Sequence, residues 1–346
     1  MVFFYLVLFI LVLSSMRYIG HGYNQNYLSF DTTNIIKGIF ILLVFIRHVI
    51  PYISLVGYEF TAVGDVFFLW INSIIGQLLV AMFLFYSGYG IMESIKKKGN
   101  LYVSSIPRKR LLTVLLNFDV AVLIYICIRY LLGGDLNLEK SVLAFIGWES
   151  MGNSNWYIFV IMLAYAITYF SFIIFNSRAV NYRMPCIVAN MILFMSMLLL
   201  SYLKESWWYD TILCFGAGLV FSNYKNQLEE LMKTHYKSIF LALLLLFIFL
   251  SYLPLHLKGL KYNMLSIVFC LLVIMITLKF KMDNKVLVWM GTNLFPLYIY
   301  QRVPMIIFSS LAGGTFVANF PIAFVVSCFV ITVLIAYLYK YWAIKL

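Results

Sequence analysis

The sequence has little charge, and therefore few side chains that could cover a surface in water. Only 11% of its 346 residues are charged, whereas 64% are apolar, and the mean hydropathy is +0.96. A soluble globular protein is roughly half apolar and about a quarter charged. This composition argues against a soluble enzyme, a disordered chain and a secreted disulfide scaffold. It indicates that lipid is the solvent for most side chains.

Cysteine is also scarce, and its placement offers no framework. The five cysteines lie within apolar runs, and their number is odd. None of them is paired at the spacing typical of a metal site. We therefore expect neither a disulfide scaffold nor a bound metal. The loops are also too short to fold as a separate catalytic domain, so any chemistry is expected within the membrane-embedded part.

Long apolar runs dominate the chain instead. A helix needs about 20 mainly apolar residues to cross a bilayer. This criterion predicts an all-α integral membrane protein, a polytopic bundle of about 10–11 transmembrane helices. The first run lacks a basic start and a small-residue cleavage site, which favours a retained helix over a signal peptide. The predicted spans are 2–19, 35–56, 66–92, 111–132, 156–176, 185–203, 207–223, 238–254, 262–280, 286–311 and 321–339.

The formal net charge of +12 is distributed unevenly along the chain. Cytoplasmic loops of membrane proteins carry an excess of Lys and Arg. Applied here, this rule predicts a cytoplasmic linker 93–110, an N-terminus outside and a C-terminus inside. The linker has a second interpretation, a site for a phosphate-bearing ligand, because Lys and Arg are natural phosphate partners. Its basic residues are Lys96, Lys97, Lys98, Arg108, Lys109 and Arg110.

Two ionisable residues lie in the second predicted span. Lys37 and His48 are separated by about three helical turns, so both project from one face, roughly 16 Å apart along the axis. Ionisable residues within a membrane are costly and usually functional, and histidine is a common general base near neutral pH. The alternative is that Lys37 extends to the inner headgroups and His48 is capped at the interface. The spacing alone does not decide between them.

Five short patterns occur in a fixed order between about residues 27 and 340, and together they resemble the membrane acyltransferase-3 family. Lys37 stands where the family usually has Arg, which keeps the charge but loses the bidentate fork. Gln301 stands where many members have His. The patterns are Lys37-x10-His48, Phe83-Leu-Phe-Tyr-Ser87-Gly88-Tyr89, Ile106-Pro-Arg108-Lys109-Arg110, Asn155-Trp156-Tyr157-Ile158 and Gly291 through Tyr298, Tyr300, Gln301 and Arg302 to Pro304.

The resemblance implies an O-acetyltransferase of the bacterial plasma membrane. Acetyl-CoA would be the donor, bound from the cytoplasm, and a cell-envelope or capsular sugar would be the acceptor. His48 would deprotonate the sugar hydroxyl or carry the acyl group itself, with Lys37 as its catalytic partner. The family domain would cover 27–346, after an N-terminal helix and linker at 1–26. The implied partners are the bilayer, acyl-CoA and the sugar, without a nucleic acid or a metal.

The resemblance also implies two binding sets. CoA would contact Arg108, Lys109, Arg110 and Ser87. The acceptor would contact Tyr300, Gln301, Arg302, Trp156 and Asn155.

Other functions remain open from the sequence. A transporter or flippase of a polysaccharide precursor is the main alternative, and it would be expected to show repeats or interrupted helix pairs. For Asp119, a structural ion pair with a basic residue is favoured. Arg302 is a possible partner for Asp119 or Glu149.

Overall fold

The computed structural model describes residues 1–55, 57–175, 182–252, 258–311, 317 and 319–346, and these are mainly helical. The predicted class, an all-α polytopic membrane protein, is confirmed. Within these described residues, seven helical stretches are long and apolar enough to cross a membrane. They are Phe30–Leu55, Val63–Lys98, Asn100–Leu131, Trp156–Ile174, Arg183–Leu203, Gly259–Lys279 and Pro321–Tyr341.

The helices follow one another with short connections. They are α1 (Phe3–Ser14), α2 (Phe30–Leu55), α3 (Val63–Ile75), α4 (Leu78–Lys98), α5 (Asn100–Val103), α6 (Thr113–Leu131), α7 (Leu138–Phe145), α8 (Trp156–Ile174), α9 (Arg183–Leu203), α10 (Leu213–Asn223), α11 (Lys225–Thr234), α12 (Tyr236–Tyr252), α13 (Lys258–Lys279), α14 (Lys285–Thr292), α15 (Leu294–Tyr300), α16 (Arg302–Leu311) and α17 (Pro321–Leu338). A π-helical turn, Pro107–Leu112, leads into α6, and 3-10 turns occupy Ser206–Trp208 and Tyr339–Tyr341.

Fewer continuous spans occur in the described residues than the eleven predicted. Helices α11 and α12 meet at a bend of 99°. If the pair is counted as one span, the number of candidate spans in the described residues rises from seven to eight. The three remaining predictions, 2–19, 207–223 and 286–311, contain only shorter helices. For 2–19 this helix is α1, whose 12 residues reach about 18 Å, whereas the bilayer core is about 30 Å thick. The predicted ends at 56, 176 and 253–254 lie outside the described residues.

Proline accounts for the interruption of the predicted span 286–311. Pro296 and Pro304 lie in the first turns of α15 and α16. Because proline has no N–H and its ring clashes with the carbonyl four residues earlier, it is tolerated in the first turn but breaks a helix that continues through it. The segment from 285 to 311 therefore forms α14, α15 and α16, which meet at Asn293 and Gln301.

The N-terminal residues are attached to the bundle rather than separate from it. Strands β1 (Met16–Tyr18) and β2 (Phe280–Met282) pair antiparallel. The Asn24 amide donates a hydrogen bond to the Thr277 carbonyl at 3.1 Å, and the Tyr27 hydroxyl donates to Glu229 at 3.0 Å. Burial and the adjacent Glu229 carboxylate raise the pKa of Tyr27, so the phenol stays a donor. The boundary at residue 26 stays a prediction.

Glycines let two helix pairs approach closely. A Cβ at Gly88 of α4 would collide with the Phe215 carbonyl of α10, and one at Gly218 of α10 would collide with the Phe85 carbonyl. Helices α2 and α14 meet in the same manner through Gly38 and Gly291 (below). These contacts fix the elements that carry the polar residues of the interior.

The α4–α10 contact predicts different outcomes for two glycines of α4. Gly88→Ala forces the helices apart, and overpacking of this kind costs about 1–3 kcal/mol of stability. Gly90→Ala is the matched control, because a Cβ there has open space, and Gly→Ala at a tolerant position is neutral or stabilising by about 0.4–1 kcal/mol. Thermal unfolding of the detergent-purified protein measures both. Equal melting temperatures for the two variants would contradict the close contact.

Candidate functional site

A cavity of about 340 Å³ opens between α2, α4, α8 and the α14–α15 junction. Exposed Phe30 and Thr292 lie at its mouth. Its polar lining is contributed by Asn34, Lys37, Ser87, Tyr157, Tyr165 and Tyr298, with Phe83, Ile158 and Phe295 among the apolar lining residues.

Lys37 is the cation of this cavity. Its Nζ lies 3.5 Å from Asn34 Oδ1 and 5.9 Å from the centre of the Tyr86 ring. Within the described part of the chain, no carboxylate lies at salt-bridge distance from it. The two α2–α14 contacts hold this region, since a Cβ at Gly38 would collide with the Leu287 carbonyl and one at Gly291 with the Asn34 carbonyl. The positive charge can therefore attract an anionic or polarised group that enters the cavity.

Ser87 lies on the α4 side of the same cavity. Its hydroxyl donates to the Phe83 carbonyl one turn earlier at 2.7 Å. The hydroxyls of Tyr157 and Tyr165, both from α8, also interact with it. Three hydroxyl groups thus lie together on one wall, where they can position a polar ligand.

A second, strongly basic cavity of about 640 Å³ adjoins the first. Arg110, which lines it, donates from Nε to the Tyr102 hydroxyl at 3.1 Å and interacts electrostatically with Tyr165 and Lys37 of the first cavity. Arg110 therefore lies where the two cavities approach each other. The second cavity is lined by Lys97, Lys98, Leu101, Tyr102, Ser105, Lys109 and Arg110.

His48 lies deeper along α2 than Lys37. Its ring centre is 6.2 Å from that of Tyr298, and it also interacts with the side chains of Gln301 and Arg302. Gln301 is fully buried, and its Nε2 donates to the Tyr298 carbonyl at 2.8 Å. The breaks on either side of α15 bring these residues against α2, because each short helix takes its own direction.

Several polar atoms around His48 have no hydrogen-bond partner among the described residues. Buried polar groups in proteins are almost always hydrogen-bonded, so a group of exceptions needs an explanation. A bound ligand, or a small shift that brings His48 and Gln301, or Tyr298 and Ser154, closer together, would supply the missing partners. The atoms are His48 Nδ1, Ser154 Oγ, Tyr298 Oη, Gln301 Oε1 and Arg302 Nε.

Tyr298 connects the first cavity to His48. It lines the cavity, and its ring packs against both His48 and Tyr157. Lys37 and His48, which share α2, thus lie along one path from the cavity mouth into the bundle. The arrangement combines a cation, a row of hydroxyl groups and an imidazole, which can bind a polar substrate and transfer a proton.

The structure does not bring every residue of the two predicted binding sets to this path. Tyr300 is buried against the rings of Tyr339 and Trp342, at 6.1 and 6.4 Å. Asn155 donates to the Gly147 carbonyl at 2.8 Å and thereby shapes its loop. Trp156 packs edge-on to Tyr157 without lining either cavity, and Arg108 lines neither. Their roles toward substrates stay predictions.

Other residues of the path are absent from the two predicted binding sets. Tyr157 and Tyr298 lie inside two of the five patterns, but the sets implied by those patterns do not include them. The spacing of Tyr298 and Gln301, three residues apart, is the signal that would have joined them. Ser154 and Tyr165 carry no comparable signal, because their positions depend on loop and helix packing.

The acidic residues differ from expectation. Asp119 makes no ion pair within the described residues, and its Oδ1 has no hydrogen-bond partner there. Glu149 pairs with Lys204 at 3.4 Å rather than with Arg302. The predicted structural ion pair of Asp119 is therefore wrong for these residues, because α6 presents it where no cation is in reach.

Lys204 holds the loop that carries Ser154. Its Nζ donates to the Trp148 carbonyl at 2.9 Å and lies 4.1 and 4.7 Å from the ring centres of Trp148 and Trp208. Two aromatic faces and the Glu149 carboxylate thus surround one ammonium group. This clamp joins loop 146–155 to the end of α9.

Comparison with known proteins gives one match. The sequence profile of the family described as Acyltransferase domain matches residues 27–341, which is most of the chain. No curated protein and no solved structure matches the sequence.

The clamp predicts the effect of removing the Lys204 charge. A desolvated cation–π contact is worth up to about 2 kcal/mol, so Lys204→Met should lower the local opening free energy of loop 146–155 by about 1–2 kcal/mol. Amide hydrogen exchange there should accelerate about 5- to 30-fold. Exposed Lys140→Met, on the neighbouring α7, serves as the control. Unchanged exchange in 146–155 would contradict the clamp.

Proposed function

The chain belongs to the acyltransferase-3 family, and on that premise we propose that it transfers an acetyl group from acetyl-CoA to a hydroxyl of a cell-envelope or capsular sugar. It is a multi-pass membrane protein with an acyltransferase domain. The choice of acetyl donor, of sugar acceptor and of the bacterial plasma membrane as its location belongs to the proposal.

One observation carries this proposal. Helix α2 presents Lys37 to a cavity that opens beside a basic pocket, and it presents His48 behind Tyr298, a residue of the same cavity. A donor that carries phosphates at one end and a thioester at the other fits such a path. A receptor or a purely structural protein has no use for it.

The basic cavity suits the phosphates of CoA. Arginine and lysine bind phosphate through charge-assisted hydrogen bonds, and arginine adds a geometric fork. Lys97, Lys98, Lys109 and Arg110 all line this cavity. From there the pantetheine arm would pass Arg110 and Lys37, with the thioester directed toward His48. The donor would enter from the cytoplasm, consistent with the charge of the linker.

His48 would act as the general base. It takes the proton of the acceptor hydroxyl as the oxygen attacks the thioester carbonyl and a C–O bond forms. The C–S bond then breaks, and the CoA thiolate leaves and takes the proton from His48, so no further reactant is needed. The Tyr298 hydroxyl lies beside Ser154 and makes no hydrogen bond of regular geometry within the described residues, so it would serve as a donor to the oxyanion.

A transporter or flippase is not favoured. The interrupted segment α14–α16 is a feature that transporters also have, and the sequence did not suggest it. Here, however, the interruption contributes Tyr298, Gln301 and Arg302 to the surroundings of His48. The family match and this placement together favour group transfer over translocation. Release of free CoA from acetyl-CoA distinguishes the two, because a transporter leaves the thioester intact.

The first test concerns His48. His48→Gln should lower kcat/KM about 10²- to 10⁴-fold, because a general base contributes about that factor. The rate is measured with membranes that contain the acceptor and with a thiol reagent that detects released CoA. For transfer in vivo, each variant is expressed in cells that lack the wild-type protein, and NMR measures the acetyl signals of their polysaccharide. His235→Gln, an exposed histidine at the start of α12, is the control. Undiminished transfer by folded His48→Gln would refute the proposed role.

The second test concerns the donor site. Arg110→Gln removes a charge-assisted phosphate contact, which is worth about 1.5–3 kcal/mol. The Kd for CoA should therefore rise about 10- to 100-fold. Arg108→Gln is the matched control, since Arg108 is two residues away on the same turn and lines neither cavity. Calorimetry with CoA measures both. Equal weakening by the two variants would remove the basic cavity from the donor site.

A further inference from the structure

Three buried rings of the first cavity form a chain of contacts that ends beside His48. Phe83 of α4, Tyr157 of α8 and Tyr298 of α15 form what we call the aromatic partition. Successive ring centres are 6.1 Å apart for Phe83 and Tyr157 and 5.3 Å apart for Tyr157 and Tyr298, both in edge-on packing. The exposed fractions are 1%, 8% and 2%. The partition is therefore closely packed where three helices meet.

The partition connects the cavity to His48 through Tyr298. All three of its residues line the cavity. Tyr298 also contacts His48 on its other side, at 6.2 Å between ring centres. A group that moves from the cavity toward His48 along these contacts therefore meets Tyr298.

Tyr298 is held firmly in this position. Gln301, one turn later, donates to its carbonyl at 2.8 Å. Helix α15 is short and ends at a break on each side, so its own contacts set its orientation. The rings of Tyr157 and His48 enclose it from two directions. Protein interiors of this density resist an added methylene group, because neighbouring side chains have to shift to admit it.

We propose that the aromatic partition selects the acyl group by size, with Tyr298 as the specificity-determining residue. This inference rests on the proposed function. The acyl group is the leading end of a donor anchored by its phosphates, so it is the part that meets the rings. An acetyl group adds a single methyl group beyond the thioester carbonyl and fits beside the rings. A butyryl group adds two further methylenes and meets Tyr298.

The expected size of the effect follows from hydrophobic pockets in general. One methylene more or less is discriminated about 10- to 200-fold. Removal of the Tyr298 ring should therefore raise the ratio of kcat/KM for butyryl-CoA to that for acetyl-CoA by about tenfold or more. The ratio is the informative quantity, because a general loss of folding or of His48 function lowers both rates equally.

The experiment compares Tyr298→Leu with Tyr298→Phe in the full-length protein. Rates of CoA release are measured with acetyl-, propionyl- and butyryl-CoA and the same acceptor membranes. Tyr298→Leu should raise the butyryl-to-acetyl ratio, whereas Tyr298→Phe keeps the ring and should leave the ratio as in the wild type. Tyr165→Leu removes a ring from the same cavity on the side of Arg110. It should also leave the ratio unchanged.

The outcomes separate this inference from the proposed function. If the wild type acetylates and Tyr298→Leu keeps the wild-type ratio, the size selection is overturned and the acyltransferase assignment stands. If Tyr298→Phe or Tyr165→Leu changes the ratio as much as Tyr298→Leu, the specific role of the Tyr298 ring is overturned. If the wild type releases CoA from none of the donors, the proposed function fails and the inference fails with it. Should Tyr298→Leu not accumulate as folded protein, Tyr157→Leu applies the same test to the same partition.

Discussion

The close contact between α2 and α14 determines where the site can form. Gly38 of α2 and Gly291 of α14 each lie against a carbonyl of the other helix, so any side chain at either position would separate them. Lys37 is next to Gly38, and α15 begins three residues after Gly291. The same contact that fixes Lys37 therefore also sets the origin of the short helix that carries Tyr298 and Gln301.

The interrupted segment and the polar site depend on each other. In lipid, irregular backbone is tolerated only where it is buried in protein or lines a cavity. The junctions at Asn293 and Gln301 satisfy this condition, because the helices that they join pack against α2 and because Thr292 and Leu294, on either side of Asn293, line the cavity. In return, the breaks let α15 turn Tyr298 and Gln301 toward His48. A continuous helix from 285 to 311 would present its side chains with a single periodicity. It could therefore not pack on α2 and also line the cavity with the same residues.

The sequence predicts the parts of this site that a single regular helix carries. The distance from Lys37 to His48 follows from helical geometry, and both lie on the path found in the structure. The surroundings of His48 could not be read in the same way. Whether Tyr298 or Tyr300 faces His48 depends on where the proline-bounded breaks fall. Ser154 lies in a loop that Lys204 holds through two tryptophans distant in sequence from each other, a contact that no local pattern reveals. The predicted number of spans exceeds the number found in the described residues because an apolar run does not show where its helix breaks.

The π-helical turn Pro107–Leu112 makes the number of residues in the linker structurally important. A π turn accommodates one more residue than an α turn before the same helix continues. Deletion of one residue from it would let the backbone close into a regular α-helix, with the flanking segments near their present orientation and the residues of the turn itself redirected. Arg110, in this turn, would then face another neighbour than Tyr102. The direction of its guanidinium is thus encoded by the number of residues in the turn as well as by their identity.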